Sequence, residues 1–359
     1  MSNTDKLNLC VIFGGMSPEH DISRMSCTSV LKNLNKDKYN ISVIGITEKG
    51  EWYLYEGDFN GIRDWSPEKQ SNKKAFISPD RSDKGILVFE ETGIKKIPVD
   101  VIFPVMHGEY GEDGKIQGLF ELSGINYVGC GVFASSAAMD KSRTKIILKD
   151  AGIPQADWVT VHTGQKNELE NMGSILDNAE KKLGYPCFVK PAGTGSSVGV
   201  GKAKNKTELE AALKNAAKFD STVLIEENID GHEVECAVLG NLSPEASEIG
   251  EIIPEVEFYD FNAKYVDGTT KLKIPAQVDE KCREQIREYA KRAFTALGCR
   301  GLSRVDFFVR YSDGAIILNE INTLPGFTDI SMYPMLWEHM GVKYTELLDR
   351  IINLSFERE

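Results

Sequence analysis

The segment running from Ala315 to Ser331 constrains this 359-residue chain more than any other. The apolar run Ala315-Ile316-Ile317-Leu318 reads as a buried strand. At its end Glu320 and Asn322 stand two residues apart, and side chains alternate faces along a strand, so both point the same way. A carboxylate and an amide oxygen on one face suit a hard cation such as Mg²⁺. Leu324-Pro325-Gly326 then breaks the strand and frees the backbone N–H groups beyond it to face a ligand. Asp306, inside the earlier apolar run 305–309, is a natural third ligand from a neighbouring strand. A capped strand end followed by a surface turn accounts for Glu320 and Asn322 equally well when the two are taken alone.

The rest of the chain repeats the pattern of strand, turn and helix. Residues 9–13 predict a buried strand running into Gly14-Gly15, with Ser17 as helix N-cap and Pro18 as the first helical residue. Glu19 follows, as a ligand-facing acid or a simple first-turn acid. Strands are expected at 41–46 and 99–105, the second ending in His107-Gly108. Open α/β sheets place ligands at such strand ends, although a loop histidine satisfied by backbone is the plain alternative. A helix at 115–122 and a strand at 127–129 complete the unit. One helix over 134–150, carrying Met139-Asp140-Lys141, leads to strands at 158–161 and 186–191 and then to the glycine–serine loop 193–201. That loop is neither GxxxxGK[ST] nor GxGxxG before a helix. It can still lay backbone N–H groups on phosphates as a lid. Lys190, ending an apolar strand, needs an anionic partner. A helix at 207–219 and a strand at 222–225 follow. Glu226 and Glu233 then read either as solvated acids or as partners for an adenine amine and ribose hydroxyls. Residues 257–275 read as a long functional loop carrying Lys264-Tyr265. A helix keeps its apolar stripe through Ile286, Ala290, Ala293 and Leu297, strands close the unit at 303–310 and 315–320, and the tail from 333 reads as helix.

Composition narrows the class. The net charge of −12 argues against nucleic-acid or anionic-membrane partners. No apolar run approaches ~18 residues, so no membrane-spanning helix is expected, and the polar start followed by a short apolar run reads as a first strand, not a signal peptide. The seven cysteines are scattered singly, which predicts reduced thiols in the cytoplasm.

Taken in order, His107-Gly108 with Gly111-Glu112-Asp113-Gly114, Met139-Asp140-Lys141, Lys190-Pro191 with Gly195-Ser196-Ser197-Val198-Gly199, and Glu320-Ile321-Asn322-Thr323-Leu324-Pro325-Gly326 resemble the D-alanine–D-alanine ligase family of the ATP-grasp superfamily. The resemblance implies an α/β chain of three domains: an N-terminal parallel-sheet α/β substrate domain (1–133), a central ATP-grasp domain with the lid loop (134–224), and a C-terminal ATP-grasp domain with metal site and closing loop (225–359). ATP would lie between the central and C-terminal α+β domains. The implied reaction joins two D-alanines through a D-alanyl phosphate for peptidoglycan precursors, releasing ADP and phosphate. It uses two Mg²⁺ ions, which Mn²⁺ can replace, in a cytoplasmic homodimer.

The same resemblance assigns roles. Lys141 and Lys190 resemble the phosphate lysines, Glu226 the adenine contact and Glu233 the ribose contact, with Ser197, Glu227 and Ile229 also at the nucleotide. Asp306, Glu320 and Asn322 resemble the metal ligands. Glu19 resembles the acid that holds the first substrate's ammonium, beside His107. Ser196 and Tyr265 resemble the pair linking lid to closing loop, and Lys264 the γ-phosphate lysine. Arg304 and the Gly326 N–H resemble the oxyanion donors, Ser331 the holder of the second carboxylate, and Met332 an apolar wall facing the acceptor's methyl group. Two positions depart from the pattern, Thr194 and Asp329. A ligase with another acceptor is the nearest competing reading. A non-catalytic nucleotide-binding module is expected to lose Arg304, Asp306, Glu320 or Asn322, and all four are present.

Overall fold

The computed structural model describes residues 6–67, 72–164, 171–253 and 271–357; Lys264 and Tyr265 lie outside them. Three sheets organise the chain. The first holds β1 (Leu7–Gly14), β2 (Tyr39–Ile46), β3 (Trp52–Tyr55), β4 (Lys73–Ile77), β5 (Gly85–Glu90), β6 (Gly93–Pro98), β7 (Val101–Val105) and β8 (Asn126–Tyr127), in the order β6-β5-β4-β3-β2-β1-β7-β8. Strands β2, β1, β7 and β8 pair in parallel. They are apolar because both of their faces are covered, and residues 9–13 of β1 are fully buried. Strands β3 to β6 extend this sheet as an antiparallel meander. They lie outside the strands expected from the sequence; for β6 the reason is that it is exposed along most of its length and carries Lys95 and Lys96, so it lacks an apolar signal.

Helix α1 (His20–Asn33) starts later than expected. Its N-cap is Glu19, while Ser17 Oγ accepts the Glu19 N–H at 3.0 Å and the Ser17 carbonyl accepts the His20 N–H, so Ser17 and Pro18 form the turn before the helix. After α2 (Lys115–Ser123), the single helix expected over 134–150 is two, α3 (Val132–Met139) and α4 (Lys141–Asp150). Asp140 leaves helical geometry between them, and its carboxylate accepts the N–H groups of Ser142 and Arg143. The break aims the first turn of α4, with Lys141, at the glycine–serine loop.

The second sheet is antiparallel, β11-β10-β12-β9, from β9 (Trp158–His162), β10 (Cys187–Pro191), β11 (Gly201–Ala203) and β12 (Thr222–Glu227). Helices α5 (Met172–Leu183) and α6 (Lys206–Ala216) cover it. The third sheet is also antiparallel, β15-β14-β13-β16-β17, from β13 (Gly231–Gly240), β14 (Glu245–Ile253), β15 (Lys271–Lys273), β16 (Gly301–Arg310) and β17 (Ile316–Asn322). Helix α7 (Glu280–Ala296) packs on one face through Ile286, Ala290, Ala293 and Phe294. The boundaries expected at 133/134 and 224/225 fall inside α3 and β12: Glu226 is a ladder residue of the central sheet, paired with Phe188 and Trp158.

The tail is two helices, α8 (Met332–His339) and α9 (Tyr344–Leu354). Helix α9 buries Leu347, Leu348, Ile351 and Ile352, spaced as one apolar stripe. They join one core with Leu9, Val30 and Leu31 of the N-terminal unit and with Tyr333 and Trp337. The first and last described elements are thereby packed together, and the turn after β17 meets the middle of α1 at Ser26 and Ser29.

Candidate active site

A cleft of about 730 Å³ lies between the second and third sheets, within the range of small-ligand sites. Lys141, Lys145, Lys190, residues 194–197, Glu226, Glu227, Ile229, Glu233 and Glu320 all line it. The anionic partner required by Lys190 is Glu226, at 2.8 Å. Lys145 reaches the other oxygen of Glu226 at 3.3 Å. Burial alone would raise the Glu226 carboxyl, but Lys190 and then Lys145 outweigh it and hold the group down at about 2. Burial pulls the Lys190 ammonium down, and Glu226 more than offsets it, leaving it above its ordinary value. For Lys145 burial dominates, and the net shift is downward.

Lys141 sits differently. Its ammonium donates to the Thr194 carbonyl at 2.7 Å, and its N–H donates to the Ala192 carbonyl. It is thus fastened to the root of the glycine–serine loop. Ser196 and Ser197 both hold left-handed backbone, with φ of 49° and 59°, at the tip of that loop. The Glu227 carboxylate accepts the Asp157 N–H at 2.8 Å, bracing β12. Glu233 lies in register with Phe308 of β16.

On β16 and β17 the register sets Asp306 opposite Glu320 and Arg304 opposite Asn322. Arg304 grips both Asp306 oxygens, at 2.8 and 2.7 Å, and Asn322 Nδ2 adds a third bond at 3.0 Å. Arg304 also lies 3.1 Å from the buried Glu235. Two carboxylates and an amide brought side by side are an oxygen donor set of the kind that hard divalent cations take. Among the described residues no three acidic, histidine or cysteine side chains converge on a point.

A second, smaller cavity of about 60 Å³ adjoins the first; Lys141, Gly195, Ser196 and Glu320 line both. Its remaining wall includes Glu19, Gly108, Glu112 and Asn322. Gly108 has φ of 68°, and a Cβ there would strike the Glu19 carboxylate and the Ser17 hydroxyl. Only glycine allows this approach. His107 is buried: its Nδ1 donates to the Leu324 carbonyl at 3.0 Å, and its Nε2 accepts from Ser26 Oγ at 3.0 Å, which in turn accepts the Phe327 N–H. The Leu324 carbonyl can only accept, so Nδ1 carries a proton, and burial, the largest influence, lowers the ring's pKa and favours its neutral form. Glu112 accepts the Gly108 N–H at 3.0 Å, and burial, reinforced by Glu19, pushes its carboxyl up to about 8.

Ser331 Oγ accepts the Thr328 N–H at 2.9 Å and lies where a Gly326 side chain would project. The structure therefore brings Gly326 and Ser331 together. It does not bring Met332 to them. Met332 is buried in the core, its sulfur over Gly250 and its neighbours Tyr333 and Leu336, because α8 turns its first residue onto β14. The expected apolar wall is a core residue. Asp329 accepts from Ser29 of α1, which ties its charge to the helix.

Lys145, Glu235 and Ser26 have no role assigned from the sequence. Lys145 follows Lys141 by four residues, so both lie on one helix face, and that spacing was the available signal. Glu235 shares its strand face with Glu233. Ser26 had no local signal, since only the packing of α1 on the turn after β17 gives it a partner.

Two antiparallel sheets closing on a lysine-lined cleft, with carboxylates on the facing strands, define an ATP-grasp architecture. Residues 8–130 match the family model described as D-ala D-ala ligase N-terminus, and residues 147–353 match D-ala D-ala ligase C-terminus. The chain is 51% identical to a D-alanine–D-alanine ligase of Acetivibrio thermocellus, covering 99% of this chain and 97% of that protein. Among solved structures it is similar to the VanG D-Ala:D-Ser ligase from Enterococcus faecalis (TM-score 0.88, 39% identity, covering 98% of this chain and 100% of that one). It is also similar to the D-alanine–D-alanine ligase from Coxiella burnetii (TM-score 0.83, 35% identity, covering 99% and 95%). The chain belongs to the D-alanine–D-alanine ligase family.

Proposed function

We propose that this protein joins two D-alanine molecules at the expense of ATP, giving D-alanyl-D-alanine for peptidoglycan precursors. The observation that supports this most directly is the junction of the two cavities. Lys141, Gly195, Ser196 and Glu320 belong to both, so a nucleotide's terminal phosphate and a small carboxylate would meet there.

A carboxylate is a poor electrophile until its oxygen is phosphorylated. Bringing it to a γ-phosphate sets two anions against each other, so fixed cations must offset the repulsion. Lys141 and Lys190 supply part of that charge in the cleft. Asp306, Glu320 and Asn322 would hold Mg²⁺, or Mn²⁺, which when bound neutralises phosphate charge. Lys264, outside the described residues, is proposed as a further cation at the γ-phosphate, with Tyr265 beside Ser196. Glu19, which lines the smaller cavity, is proposed to hold the first D-alanine's ammonium. The second amino acid attacks the acyl phosphate through its neutral amine, and phosphate leaves. Arg304 and the Gly326 N–H would meet the developing oxyanion, and Ser331 the second carboxylate. Glu226, Glu227, Ile229, Glu233 and Ser197 are proposed as the nucleotide's surroundings, and closure of the glycine–serine loop would keep water from the acyl phosphate.

With Met332 in the core, D-alanine as acceptor rests on similarity to ligases so named, while one similar structure is a D-Ala:D-Ser ligase. A homodimer in the cytoplasm completes the proposal; among the described residues no helix is long and apolar enough to cross a membrane. The test is a competition of equal D-alanine, D-serine and D-lactate with ATP, scored by phosphate release and product mass. D-alanyl-D-alanine as main product supports the reading. Dominance of the mixed dipeptide or the depsipeptide overturns the acceptor, and absence of ATP-dependent phosphate release overturns the ligase.

A further inference from the structure

Lys145 is the buried cation that the reaction scheme leaves without a role. It is 3% exposed, and its ammonium has three neighbours: Glu226 Oε1 at 3.3 Å, the Ala156 carbonyl at 3.3 Å, and the face of Trp158 at 5.1 Å. Glu226 is 5% exposed and carries a lysine on each oxygen, Lys145 on one and Lys190 on the other. The two lysines are not equivalent. Lys190 is the more open, 18% against 4% of the side chain, and it also approaches Asn319 at 3.4 Å. Lys145 is enclosed by its carbonyl and its ring.

A buried carboxylate is costly without a counter-charge. With Lys190 as sole partner, Glu226 would hold that ammonium firmly, and any phosphate drawing Lys190 away would leave Glu226 unpaired. A second lysine on the other oxygen removes that penalty. We propose that Lys145 is a positioning residue that acts through Glu226: it is the standing counter-ion of that carboxylate, and so leaves Lys190 available to an incoming nucleotide polyphosphate. This rests on the reading of the 730 Å³ cleft as the nucleotide site. Lys145 itself need not touch the nucleotide.

The experiment compares Lys145→Met, Lys145→Arg, Glu226→Gln and the double variant Lys145→Met/Glu226→Gln, using ATP as the probe in steady-state turnover and ADP in direct binding. Lys145→Met is expected to raise KM for ATP, and Kd for ADP, about tenfold or more while KM for D-alanine changes less than about twofold. Lys145→Arg, which keeps the charge, should recover most of the loss. The double variant should bind ADP no worse than Glu226→Gln alone, because without the carboxylate's charge Lys145 has nothing to neutralise. Additive losses in the double variant would overturn the proposal, as would an unchanged ADP affinity in Lys145→Met. If Lys145→Met fails to fold, the arginine and glutamine variants still decide it: the proposal requires Lys145→Arg to bind ADP near the wild-type affinity. A wild-type protein that binds neither ADP nor ATP would instead overturn the nucleotide reading of the cleft.

Discussion

The two cavities of the site are built on opposite electrostatic plans. In the nucleotide cleft buried charges are paired, with Glu226 between Lys145 and Lys190, and on the neighbouring strands Arg304 lies between Asp306 and Glu235. The smaller cavity, which Glu19, Lys141 and Glu320 also line, has beside these charges two buried groups shifted toward their neutral forms. Burial favours a neutral His107 between Ser26 and Leu324, and Glu112 is pushed toward its acid form. The difference follows from what each place is proposed to take. A polyphosphate brings several negative charges and needs cations held ready but not locked. A small zwitterion brings one charge of each sign, and a cavity lined by a few charged groups of both signs, with Glu112 near its acid form, can receive it.

The comparison breaks hardest at Arg304. Replacing it with Met removes the proposed oxyanion donor, a loss of about 2.7–4 kcal/mol in transition-state stabilisation, which should appear mainly in kcat. It also strands Asp306 and Glu235, which are buried, and uncompensated buried charge costs about 3–5 kcal/mol of stability. Glu320→Gln should stop turnover with a much smaller drop in melting temperature. Thermal unfolding alongside single-turnover kinetics separates the two. A stable Arg304→Met protein would mean that Asp306 and Glu235 find other partners.

The paired plan was readable in the sequence and the neutral plan was not. Lys190 at the end of an apolar strand, and Asp306, Glu320 and Asn322 on strands, announce themselves because a charge in an apolar run needs a reason. The register then sets Asp306 opposite Glu320. Ser26 and the Leu324 carbonyl carry no such signal. Their role arises from the shared core of α1, α8 and α9, which links residues hundreds of positions apart. The same blindness explains Met332. It follows Ser331 in sequence, but α8 begins there and turns it onto Gly250.

His107 sharpens the contrast at the next level of effect. His107→Ala leaves the Leu324 carbonyl and the Ser26 hydroxyl without their partner, at about 1–3 kcal/mol for each buried group left unsatisfied. The turn carrying Gly326 loses one of its ties to the N-terminal unit, so KM for the amino acid should rise more than KM for ATP. Equal rises would show that His107 supports the whole molecule and not this cavity.

Acid and base should act on the two cavities in opposite directions. Glu226 titrates at about 2 in the folded protein against 4.5 ordinarily, so its stabilisation is present above pH 4.5 and lost as pH falls toward 2. Glu112 titrates at about 8 against 4.5, so its contribution is fullest below pH 4.5 and declines as pH rises toward 8. Glu226→Gln should therefore be less stable than wild type at neutral pH, with the gap closing near pH 2. Glu112→Gln keeps the uncharged shape and should gain on wild type between pH 4.5 and 8. Denaturant unfolding across pH reads both, and parallel curves for the two variants would contradict the opposed plans.

The smallest effect is expected at Met332. Its side chain fills space over Gly250 in the core that joins the chain's two ends, so exchange for Leu nearly conserves volume and should cost less than about 1.5 kcal/mol. More telling is what should not change. If Met332 faces β14 and not the acceptor, Met332→Leu and even Met332→Gln should leave the ratio of D-alanyl-D-alanine to D-alanyl-D-serine where wild type has it, the Gln variant merely losing stability for burying an amide. Ser331 differs, because its hydroxyl already sits over Gly326 beside the proposed acceptor carboxylate. Ser331→Ala should raise KM for the second amino acid while α8 stays in place. Product ratios that move with Met332 and ignore Ser331 would return Met332 to the acceptor site and require α8 to turn on substrate binding.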